Sequence, residues 1–98
     1  MADSSVLNLA ILLFPGVEAL DYQGPVSLLG FISTDSEIQL PQMPEYRFTI
    51  TYLAPSQDPV KPVSGPLVHP DKTYDDILVD LENGEDVPLD ALLVPGGL

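Results

Sequence analysis

The sequence predicts an α/β protein built on a mainly parallel sheet. Three observations carry that prediction. Residues 6–14 and 90–94 contain continuous apolar runs, with Asn8 the only polar break inside the first. Strands buried on both faces, as in a parallel sheet, read this way. The first run closes on Pro15-Gly16, and a segment with helical spacing of apolar residues follows. Along the whole chain, strand-like and helix-like segments alternate.

The elements follow in order. Residues 6–14 are the first predicted strand. Residues 20–32 are the first predicted helix, with Val26, Leu29 and Ile32 near helical spacing. Pro25 is expected in its first turn, where a missing N–H is harmless. Gly30 weakens its end. Residues 33–46 hold Pro41 and Pro44, show no sustained period, and read as a loop. Residues 48–54 alternate and are rich in β-branched and aromatic side chains, so they read as the second strand. Residues 60–68 read as a short hairpin around Ser64-Gly65, kept at a sheet edge by Pro62 and Pro66. Thr73 is placed to cap a short helix, with Asp75 and Asp76 near its positive end. Ile77, Leu78 and Leu81 give that helix an apolar face, and Asn83-Gly84 ends it. Residues 90–94 are the last strand. Three strands and two helices are fewer than a doubly wound sheet usually has, so the sequence reads as the first half of a domain.

Composition narrows the function. Lys and Arg number three against fifteen Asp and Glu, a net charge of −12. Nucleic acid and anionic membranes need basic surface, so neither is an expected partner. The acidic excess reads most simply as a solvated surface that aids solubility. Cysteine is absent, which rules out disulfides, cysteine metal sites and a cysteine nucleophile within this chain. A lone His69 between Val68 and Pro70 makes a poor metal site and reads as a surface or packing residue. Neither of the common phosphate-loop patterns is present, so no cofactor is expected. The first five residues carry no basic residue and do not resemble a signal peptide. The longest apolar run, residues 9–14, is far short of the ~20 residues of a spanning helix. A soluble cytoplasmic protein is the default expectation.

Two places could carry chemistry. Glu18 and Asp21 lie at or just beyond the carboxyl end of the first strand. A carboxylate there, partly shielded from water, can serve as a general acid or base. Taken locally, the same residues read more simply as helix-start carboxylates favoured by the macrodipole. Gly96 and Gly97 follow the last strand, outside the carboxyl ends where open α/β sheets bind ligands. Their N–H groups could form part of an oxyanion hole. Taken alone, Gly-Gly is an ordinary turn.

Together these pieces resemble a known family. The run Leu12-Leu13-Phe14-Pro15-Gly16-Val17-Glu18-Ala19-Leu20-Asp21-Tyr22-Gln23-Gly24-Pro25 is similar to the opening of ThiJ/PfpI-type proteins, in the class I glutamine-amidotransferase-like superfamily. It is closest in kind to the isonitrile-hydratase-like and amidase-like regulator branches. Tyr74-Asp75-Asp76, then Asp90-Ala91-Leu92-Leu93-Val94-Pro95-Gly96-Gly97, resembles the family's next segment. The resemblance implies a flavodoxin-like three-layer sandwich with a mainly parallel sheet, present here as its N-terminal half. It implies a cysteine nucleophile on an elbow after Pro-Gly-Gly, outside this chain. Asp21 matches the acidic residue beside that cysteine, and Glu18 is a less close match. Gly96 and Gly97 match the backbone amides that face it. The complete form is then expected to be a cysteine-dependent hydratase or hydrolase of small molecules. The alternative is a non-catalytic binding or interaction module, and fold does not choose between them. A half-sheet exposes apolar faces and an unpaired edge, so a homo-oligomer or a poorly folded chain is expected. The family's frequent homodimers point the same way.

Overall fold

The computed structural model describes residues 5–33 and 46–97. Four strands form one sheet: β1 (Ser5–Leu12), β2 (Tyr46–Ala54), β3 (Lys72–Thr73) and β4 (Ala91–Leu93), in the order β3-β2-β1-β4. All neighbouring strands are parallel. β1 is central, flanked by β2 and β4, as its continuous apolar run predicts. The α/β class therefore stands.

The helices α1 (Ala19–Leu29) and α2 (Tyr74–Glu82) lie on opposite faces of the sheet. Strand alternation explains this division, because successive side chains point to opposite faces. On one face, Leu9, Ile11 and Leu13 join Phe48, Ile50, Tyr52, Ala54 and Leu93 in a core closed by Tyr22, Val26 and Leu29 of the α1 side. Ile11, Leu13 and Val17 are fully buried, each contributing about 1.5–3 kcal/mol. On the other face, Leu12, Leu53 and Leu92 meet Ile77, Leu78 and Leu81 of α2 across an open apolar groove. Leu78, Leu81, Leu92 and Val94 are each more than half exposed, so this second face is lined but not closed.

The local signals for α2 work as the residues dictate. Thr73 caps it, with its Oγ1 accepting from the Asp76 N–H and the Asp76 carboxylate accepting from the Thr73 N–H. This is a capping box. These bonds hold the Asp76 carboxyl below the usual carboxylate range. At the other end Gly84 has φ +72. Its N–H donates to Leu81, and the Glu85 N–H donates to Asp80. That double closure is a Schellman motif.

Several expectations need correction. α1 begins at Ala19, because the Glu18 side chain accepts from the Leu20 N–H and starts the helix there. Pro25 is therefore inside the helix rather than in its first turn. It leaves the Asp21 carbonyl without its usual donor four residues on. The helix ends at Leu29, and residues 30–32 tighten into a 3₁₀ turn. Residues 60–68 are not an edge hairpin. They form a loop closed by a single antiparallel bridge between Val60 and Val68, outside the sheet. The loop packs on the turn after β1 through Gly16 N–H to Lys61 and Val63 N–H to Val17. The strand β3 has only two residues and no periodic signal. Of the predicted loop 33–46, residues 34–45 lie outside the described residues. Ser33 bridges Phe48, and Tyr46 already belongs to β2.

Two aspartates, Asp71 and Asp90, set the start of short strands; β4 begins one residue after the expected Asp90. Asp90, just before β4, accepts from both the Asn8 N–H (2.7 Å) and Asn8 Nδ2 (3.0 Å), while its own N–H donates to the Asn8 carbonyl (2.8 Å). Asp71, just before β3, repeats the device on Tyr52: its carboxylate accepts from the Tyr52 N–H and its N–H donates to the Tyr52 carbonyl, both at 2.8 Å. In each case a carboxylate substitutes for the missing strand carbonyl and pins the register of a strand too short to pin itself.

Asp90→Ala is expected to destabilise the fold by about 1–2 kcal/mol and to speed amide exchange at Asn8. Asp90→Asn keeps an acceptor oxygen and should recover most of the loss. Urea titration with hydrogen exchange checks both; wild-type protection of Asn8 in Asp90→Ala would refute the clamp.

Candidate functional site

The site grows from the turn that ends β1. Phe14-Pro15-Gly16-Val17 is closed by the Val17 N–H donating to the Phe14 carbonyl at 3.0 Å. Pro stands second and Gly third, with Gly16 at φ +83, the pattern of a type II turn. The turn delivers Val17 and Glu18 at the carboxyl end of the sheet, where α1 begins.

The segment after β4 returns to this same point. Val17 and Gly97 form an antiparallel bridge, and the Glu18 N–H donates to the Gly96 carbonyl at 2.8 Å. The Gly96 N–H donates to Asp21 Oδ2, also at 2.8 Å. Asp21 sits in the first turn of α1. Thus Asp21, Gly96 and Gly97, three of the four residues marked in the sequence, are brought together across 75 positions. Glu18 is beside them, but its backbone makes the contact and its side chain caps the helix. Asp21 and Gly96 are exposed, whereas Val17 and Pro95 beneath them are buried.

The two glycines are needed for different reasons. A Cβ at Gly97 would lie 2.5 Å from the Gly16 carbonyl oxygen and 2.8 Å from the Phe14 ring. Backbone cannot give way cheaply, so Gly97 is set by close approach of two chain segments. A Cβ at Gly96 would lie 2.8 Å from Asp21 Oδ2, the far end of a side chain. The Gly96 amide is thus committed to Asp21. The Gly97 N–H meets no acceptor among the described residues. Asp21 Oδ1 meets no donor among the described residues.

Tyr74 ties this region to α2: its hydroxyl donates to the Leu13 carbonyl at the end of β1. Burial pushes the Tyr74 phenol pKa up. This anchor, like those made by Asp71 and Asp90, leaves no periodic trace in the sequence. A tyrosine directly after a capping threonine, and aspartates directly before strands, were the available signals. His69 is exposed in its loop, away from these contacts. Asp75 and Asp76 stand at the start of α2 as expected. Among the described residues no group of three or more His, Cys, Asp or Glu side chains is placed to hold a metal ion. No described helix is long and apolar enough to cross a membrane.

A carboxylate and glycine amides at the carboxyl ends of parallel strands define a site of the kind that open α/β folds use. No protein-family model and no curated protein matches the chain. Among solved structures it is similar to the crystal structure of a DJ-1 superfamily protein from Agrobacterium tumefaciens, with a TM-score of 0.57 and 26% sequence identity. The match covers 94% of this chain and 38% of that one. It supports the DJ-1 superfamily, and the four-stranded parallel sheet with its helices has the flavodoxin-like α/β fold of that neighbour.

Gly97→Ala is expected to destabilise the chain by about 1–3 kcal/mol through overpacking. Gly96→Ala should cost less, since Asp21 can swing aside, and its cost should fall further in the Asp21→Ala background. Thermal denaturation of the four variants checks the order; equal costs at the two glycines would contradict it.

Proposed function

We propose that this chain supplies one wall of a ThiJ/PfpI-like site, whose complete form is a cytoplasmic, cysteine-dependent hydratase or hydrolase of small molecules. The observation that carries the reading is the Asp21–Gly96 hydrogen bond beside a Gly97 N–H that meets no described acceptor. The thiol comes from polypeptide outside this chain, which has no cysteine. In the complete site Asp21 takes and returns the proton that moves between thiol and substrate. The thiolate adds to an electrophilic carbon, and the Gly97 N–H receives the developing negative charge. Asp21 has a second task here. By holding the Gly96 N–H it fixes the Pro95–Gly96 peptide, while the Glu18 N–H on the Gly96 carbonyl fixes the plane of the next peptide and so the direction of the Gly97 N–H.

Asp21→Asn separates these tasks, because the amide oxygen can still accept from Gly96 while the proton-transfer role is lost. In a polypeptide carrying this chain and the cysteine segment, turnover should fall by about 10²–10⁴-fold. Unchanged turnover would remove Asp21 from the chemistry. The absence of cysteine in the chain favours a second reading, a non-catalytic binding module of the same fold; a cysteine-free continuation of the polypeptide would select it.

The isolated chain is proposed to associate with a second copy of itself. β4 is an outer strand, and the apolar groove runs along it through Leu92 and Val94. A copy that pairs with the free edge of β4 therefore covers exposed apolar surface in the same contact. Sedimentation at low micromolar concentration should show a dimer or larger species, and Leu92→Asp should dissociate it. A cooperative folded monomer would exclude this association.

A further inference from the structure

On the α1 face, the 60–68 loop stands off from the helix and leaves a cavity of about 270 Å³. Ala19, Tyr22 and Gln23 line it from one face of α1, Tyr52 from β2, and Pro62 and Val68 from the loop. Asp21 and the two C-terminal glycines are not among its walls, so it is separate from the site above. The loop is built to hold its shape. The Val60–Val68 bridge closes it, Val63 N–H ties it to Val17, and Lys61 Nζ donates to the Gly65 carbonyl at 3.2 Å. Two prolines stiffen it further.

The chemistry of the walls is specific. The rings of Tyr22 and Tyr52 meet edge to face, with centroids 6.1 Å apart and planes at 76°. Neither phenol O–H finds an acceptor among the described residues, yet neither oxygen is sealed from solvent. Burial raises the pKa of both phenols, and a protonated phenol is a hydrogen-bond donor. No charged side chain lines the cavity, so an ion entering it would lose hydration without a partner. The prolines, Ala19 and Val68 offer apolar contact for a flat ring.

We propose that this cavity binds a small neutral aromatic carbonyl compound, its ring against the tyrosine pair and prolines and its carbonyl oxygen accepting from the tyrosine hydroxyls. A mostly apolar, preformed cleft with a few convergent polar groups is the usual form of a small-molecule site. Its volume suits one ring with a short substituent.

Acetanilide is a suitable probe, with ethylbenzene as the partner that lacks the carbonyl. Titration into the full chain, followed by amide chemical shifts, should give saturable changes at Tyr22, Gln23, Tyr52 and Val68. Tyr22→Phe/Tyr52→Phe keeps both rings and removes both donors. It should weaken acetanilide about five-fold for each hydroxyl engaged and leave ethylbenzene unchanged, with the thermal midpoint reporting that the fold persists. Equal acetanilide affinity in wild type and the double variant would overturn the proposal. So would shifts confined to Leu12, Leu53 and Leu92, which would place the probe in the groove on the opposite face.

Discussion

The close approach of the β1–α1 turn to the Pro95-Gly96-Gly97 segment is the constraint on which the rest depends. It needs a type II turn at Pro15-Gly16, a glycine with no room for a Cβ at position 97, and a carboxylate at position 21 to take the Gly96 N–H. Each requirement is local, but the contact they make joins segments 75 positions apart. It aligns β4 beside β1 and sets the candidate site at the carboxyl edge of the sheet. A side chain at position 97 would separate these segments and disturb alignment, sheet and site together.

The acidic residues look different once they are placed. Asp21, Asp71, Asp76 and Asp90 each accept from a backbone N–H. Two of these bonds begin strands, one begins a helix, and one orders the candidate site. Short strands and loops leave backbone donors without carbonyl partners, and an unpaired donor removed from water is costly. A carboxylate meets that need with a charge-assisted bond. Part of the acidic excess therefore serves the backbone, beyond keeping the surface solvated.

The two faces of the sheet carry unequal weight. The α1 face is closed by a helix and a tied loop, and holds the fully buried side chains. The α2 face is an apolar groove with large side chains more than half exposed. Stability is thus concentrated on one side of β1, and the other side leaves its apolar side chains uncovered within the described residues. The cavity between Tyr22 and Tyr52 lies on the closed side, where stiff walls keep a space open.

By itself the sequence determined the α/β class, the central place of β1, the Pro-Gly turn and the Thr73 cap, and it marked Asp21, Gly96 and Gly97 as candidates. These follow from short-range rules: apolar runs, turn chemistry, and side chains that bond to their own neighbourhood. The resemblance at residues 12–25 supplied the functional frame. Only the tertiary structure decided that Asp21 grips the Gly96 amide, that residues 60–68 fold over the β1 turn instead of edging the sheet, and that Asp71 and Asp90 hold the strand starts. These contacts join residues 19 to 82 positions apart, or depend on how a proline-rich loop packs. Periodicity reports which face of an element is apolar. It carries no information on which distant backbone group an exposed carboxylate will meet, because that is set by where the packed sheet brings the chain back to itself.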